Sequence, residues 1–239
     1  MPYGAKFHGA LLVFGLAYPT VLTMVYFVAL ADFPAFVQQA AYAGGKVFQF
    51  GFPAVYVVCL GHGKPRWSRP SAQGVAVGLG FGIVVLVAML LLYYCWLKSS
   101  MHAQVLQPRV VRKIKDLGLD TWGKYAATGV FYALIHSLLE EYYWRWFVFG
   151  QLRGRAGVPV SIVISSLGFM AHHVVLLATF LGWNSLLAYG MAGGVGIGGA
   201  VWAWIYARSG TLLAPWLSHA VVDAAIFWIG FDLGRDAIW

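Results

Sequence analysis

The sequence predicts an all-α polytopic membrane protein, with about seven (six to eight) transmembrane helices plus an amphipathic interfacial helix. Three observations predict it. Of 239 residues, 61% are hydrophobic and only 10% are charged, where a soluble domain carries about 25% charged residues. Apolar runs long enough for the roughly 20 residues of a membrane span recur along the chain. The basic residues fall in short clusters between those runs.

Taken in order, the spans are expected at about 9–31, 42–60, 73–97, 123–150, 157–181, 185–207 and 211–231. The first follows Lys6 and ends Ala29-Leu30-Ala31, which resembles a signal-peptide cleavage site. Its length of about 23 residues exceeds the roughly 7–15 of a signal core, so it reads as an uncleaved span. Gly51 and Pro53 predict a kink or tilt in the second. Between the third and fourth lies the longest polar stretch, 98–122. There Val105, Leu106, Val110, Val111, Ile114 and Leu117 recur near helical spacing against Arg109, Arg112, Lys113 and Lys115. That pattern predicts an amphipathic helix in the headgroup region. In the sixth span, Gly190, Gly194 and Gly198 stand four residues apart and, with Gly193, Gly196 and Gly199, predict close helix packing.

The chain therefore divides into N-terminal spans (1–97), an interfacial segment (98–122) and a helical core (123–231), all in one membrane domain spanning 1–239. A net charge of +8 resides in loop clusters such as Lys64/Arg66/Arg69 and Arg153/Arg155. Those suit a membrane surface, and no nucleic-acid partner is expected. The charges on the two sides nearly balance and do not orient the chain. Tryptophans such as Trp67, Trp122, Trp183 and Trp239 sit near span ends, as an interfacial belt requires. Cys59 and Cys95 lie in separate apolar runs with no CxxC pattern, which predicts buried thiols and no disulfide. His8, His62 and His102 fall at or outside span ends and read as solvated.

Against this background, charges inside the spans stand out. Glu140, Glu141 and Arg145 lie within the run 131–149, and each costs roughly 2.5–3.5 kcal/mol at a helix centre. On a regular helix Glu141 and Arg145 are i,i+4 and can pair. Glu140 is rotated by about 100° and shares a face with His136 and Trp144. Phe169 and His173 share a face of the fifth span, with His172 on another; His219 and Asp223 share a face of the seventh. Such groups suit hydrolysis within the membrane. A glutamate takes a proton from water, one histidine orients that water, and a second stabilises an oxyanion. The same groups could hold Zn²⁺ through Glu140, His173 and His219. The metal-free form, with no cofactor required, is placed ahead.

Glu140-Glu141-x-x-x-Arg145, Phe169-x-x-x-His173 and His219-x-x-x-Asp223 resemble, in order, the three motifs of the CPBP intramembrane proteases. That family embraces CAAX prenyl endopeptidases and bacteriocin-processing or Abi-type proteins, and the resemblance covers about 121–230. It implies an endopeptidase in which Glu140 activates water with help from His173. Glu141 and Arg145 would position it, and His219 with residue 223 would bind the oxyanion. His136, Phe169 and His172 would support these groups. The chain departs from the family pattern at Asp223, where prenyl-protein members typically carry asparagine. It departs again at Trp144-Arg145-Trp146, which replaces the usual Phe-Arg-Gly. The implied substrate is a membrane-anchored or lipid-modified protein or peptide cut near its C-terminus, in contact with membrane lipid. The implied setting is a bacterial or archaeal inner or plasma membrane. A non-catalytic scaffold or immunity protein of the same fold is the alternative.

Overall fold

The computed structural model describes the backbone of residues 2–60 and 69–238, and side chains within 9–59 and 69–238. Lys6, His8, His62, Lys64, Arg66, Trp67 and Trp239 lie outside the residues whose side chains are described. Helices account for nearly all the described residues, and no strand occurs among them. In order they are α1 (Pro2–Met24), α2 (Ala35–Leu60), α3 (Ala72–Cys95), α4 (Met101–Asp116), α5 (Trp122–Val130), α6 (Ser137–Glu141), α7 (Gly150–Leu181), α8 (Leu186–Ser209) and α9 (Leu213–Ile238). Three π-helical segments intervene, Val25–Ala29, Phe131–His136 and Tyr142–Phe149.

Among the described residues, five stretches are long and apolar enough to cross a membrane: Gly9–Ala29, Ala72–Ser99, Trp122–Leu181, Leu186–Ser209 and Leu213–Ile238. The third runs for 60 residues and is broken at Gly157, whose φ of 76° is left-handed. That break falls at the first residue of the expected fifth span. The expected second span lies within α2, where Lys46 and Gln49 dilute the apolar run; α2 is not among the five.

The chain forms two compact units, one of residues 1–67 and 142–207, the other of 68–141 and 208–239. The boundaries expected at 97 and 122 both fall inside the second. In that unit α3 and α9 run side by side in the same direction, because Gly78 meets Ala214 and Gly82 meets Ser218. A Cβ on Gly78 would overlap the Ala214 carbonyl oxygen, and one on Gly82 would lie 2.9 Å from that of Ser218. At the far end, the Tyr93 hydroxyl and Lys98 Nζ both donate to Asp232 Oδ2, at 2.7 and 2.6 Å. The segment from α5 runs back along α9. Tyr125 donates to the Phe227 carbonyl at 2.8 Å, and Trp216 Nε1 to that of Leu134 at 2.9 Å. Helix α4 forms where the amphipathic pattern predicts it. Its apolar side is covered by protein as well, since it packs along α9 with Ala103 and Ile114 buried and Gln107 donating to the Leu233 carbonyl. Burial lowers the affinity of Lys113 for its proton.

In the other unit the π-helical segment Tyr142–Phe149 is the core. Tyr143, Trp144, Phe147, Val148 and Phe149 are buried there, and Tyr143 donates to the Gly15 carbonyl of α1. The glycines of α8 divide between close packing and open space. Gly196 and Gly199 meet Met170 and Phe169, while Gly190 and Gly194 face open space. The thiols differ from expectation: Cys59 and Cys95 are free and exposed. Burial is the rule for thiols in water. A span exposes its apolar side chains to lipid, so an apolar run there says little about enclosure.

Candidate active site

The residues that carry charge within the spans sit where the helix changes pitch. Two π-helical segments bracket the short α6, which contains Glu140 and Glu141. π-helical insertions within α-helices are frequent at functional sites, and their wider i→i+5 pitch re-aims the side chains around them. At the junction, the Ser137 hydroxyl donates back to the Ala133 carbonyl. Ser137, Glu140 and Glu141 are all buried, Glu141 completely.

Around them, the unit formed by 68–141 and 208–239 assembles a carboxylate–imidazole cluster. His219 Nδ1 lies 2.8 Å from Glu141 Oε1. A carboxylate oxygen accepts, so Nδ1 carries the proton and Nε2 is the acceptor of the neutral ring. His219 Nε2 stands 3.8 Å from Glu140 Oε2 and 3.6 Å from Asp223 Oδ1. His136 Nε2 approaches Glu140 Oε1 at 4.0 Å from one turn earlier. Glu140, Glu141, His136, His219 and Asp223 are thus brought together.

The other predicted residues stand in the unit of 1–67 and 142–207. Arg145, 2% exposed, donates to the Gly199 carbonyl at 3.2 Å. Its guanidinium lies 4.7 Å from the Phe169 ring centre and 5.3 Å from that of Trp202. Cation–π contacts with planar rings suit a guanidinium withdrawn from water. His173 Nδ1 meets the Phe169 carbonyl at 2.9 Å, so Nδ1 donates and Nε2 is again the acceptor of the neutral ring. His172 is buried and stacks on Trp144, with planes 5° apart and centres at 5.7 Å.

Sequence spacing brought Phe169 to His173 and His219 to Asp223. It did not reveal the bond from Glu141 to His219, nor the cage that Gly199 and Trp202 make for Arg145. From Tyr142 onward the backbone is π-helical. The four-residue spacing of Gly78 and Gly82 was visible in the sequence and is the signal that could have placed α3 against His219's helix. For zinc, no group of three His, Cys, Asp or Glu side chains among the described residues has a metal-holding arrangement.

Helices of span length with a buried carboxylate–imidazole centre define an integral multi-pass membrane protein built for polar chemistry in an apolar setting. Residues 122–225 match the family model described as Type II CAAX prenyl endopeptidase Rce1-like. The stretch that carries all three motifs is thus similar to this family of membrane proteases, as their resemblance implied. No curated protein and no solved structure matches the chain.

Proposed function

We propose that the protein is a glutamate-dependent intramembrane endopeptidase that cuts a prenylated or otherwise membrane-anchored protein near its C-terminus. The observation that carries this reading is the hydrogen bond from His219 Nδ1 to Glu141. It fixes the ring so that Nε2 faces Glu140 and Asp223. In the proposed reaction, ionised Glu140 removes a proton from a water molecule, whose oxygen attacks the scissile carbonyl carbon. Protonated on Nε2, His219 donates to the oxyanion that forms. Glu140 then returns its proton to the departing amine as the C–N bond breaks. Since Glu141 already orients His219, Asp223 acts as a second acceptor that keeps a proton on Nε2. For His173 the family motif implies assistance to Glu140, with Nε2 the acceptor that its ring offers. For Arg145 the family motif implies a positioning role. The motif match supports prenyl-protein substrates, while Asp223 in place of asparagine supports a substrate set broader than prenylated tails.

The test is cleavage of a fluorescent prenylated peptide, a bacteriocin leader and a hydrophobic-plus-basic C-terminal tail by purified protein in liposomes. Cutting of one, lost in Glu140→Gln, supports the reading. Binding without cutting, equal in both forms, would instead favour a scaffold role.

A further inference from the structure

Helix α4 offers a surface that the proposed reaction does not use. The chain leaves the stretch Ala72–Ser99 just before α4 and enters the next membrane-long stretch at Trp122. Both ends therefore lie on one side of the membrane, and α4 lies between them. Aromatic residues mark its level: Trp96 is 44% exposed and Trp122 63% exposed, as in the headgroup belt. Trp228, also exposed, donates to the Tyr94 hydroxyl at 3.0 Å.

The orientation of α4 is fixed. Ala103 and Ile114 are buried, and Gln107 is bound to the Leu233 carbonyl. At about 100° per residue, Arg109, Arg112 and Lys115 point away from that buried side, and all three are exposed. Met101 and Val105 extend the same exposed side towards the start of the helix, giving an apolar beginning and a basic end. Asp116 is the one acidic residue in α4. The other acids at this end of the unit have cations of their own: Asp232 with Lys98 and Arg235, Asp236 with Arg235, and Asp120 with Lys124. Arg112 and Lys115 make no hydrogen bond or ion pair among the described residues.

We infer that the outward side of α4 is a docking surface for anionic phospholipid headgroups, with Arg112 and Lys115 as its principal contacts and Arg109 beside them. This surface is remote from the carboxylate cluster: His219 and Asp232 are about 20 Å apart along α9 at 1.5 Å per residue. The inference thus stands or falls separately from the proteolytic reading.

The test is the selectivity of the intact protein, in phosphatidylcholine vesicles, for spin-labelled phosphatidylglycerol over spin-labelled phosphatidylcholine. Wild type should prefer the anionic lipid. Arg112→Gln with Lys115→Gln should reduce that preference by roughly an order of magnitude, while Arg112→Lys with Lys115→Arg should retain it. High salt should weaken it in the unaltered protein, a reading that does not depend on any variant folding. Equal association of both lipids with wild type, or unchanged selectivity in the Gln pair, would overturn the inference.

Discussion

His219 is held through one ring nitrogen and presents the other to two carboxyl groups. In the proposed reaction this divides the labour of the paired glutamates: Glu141 orients the ring, and Glu140 stands at its working side. Glu141→Gln still offers an oxygen to Nδ1 but loses the charge that stabilises a cationic ring. It should therefore lower kcat with KM nearly unchanged, and by less than Glu140→Gln does; steady-state kinetics check both. A second prediction separates two adjacent histidines. His172 stacks on Trp144, so His172→Phe preserves the contact and should retain most activity. His173→Phe loses the Nε2 acceptor, and activity should fall about 10²-fold or more. Equal losses would contradict the assignment. The motifs alone pointed to His173. They could not show which group orients His219, since that bond joins residues 78 positions apart.

At the scale of helices, the approach of α3 to α9 depends on two glycines. Gly82→Val would press a branched side chain against the backbone at Ser218, beside His219. Overpacking costs about 1–3 kcal/mol, so both the thermal midpoint in detergent and the activity should fall. Gly190→Ala and Gly194→Ala, facing open space, should leave both unchanged. The sequence drew attention to the glycine-rich α8, because four-residue spacing says that a close approach is possible without saying where a partner lies. The interfacial helix was legible from its alternating apolar and basic residues; its docking on α9 was not, because helical periodicity identifies an apolar side but not its cover. Likewise, the π-helical segments around α6 have no sequence periodicity of their own.

Across the whole molecule, composition dictated an all-helical membrane protein, and the polar residues it could least easily accommodate are those of the protease motifs. The surrounding lipid also explains the error over Cys95, which lies in a span-length stretch, since apolar helices turn outward as readily as inward in a bilayer. If carboxyl and imidazole groups perform the reaction alone, activity should survive prolonged incubation with a strong zinc chelator and should not rise on adding Zn²⁺. Loss of activity on chelation, restored by the metal, would reassign the cluster as ligands. The most direct test is single-turnover cleavage of a susceptible membrane-anchored peptide by wild type and Glu140→Gln, both in liposomes and matched in thermal midpoint. Loss of general-base catalysis predicts a rate lowered by about 10²–10⁴-fold with peptide binding intact. A Glu140→Gln enzyme that cleaves at the wild-type rate would contradict the account.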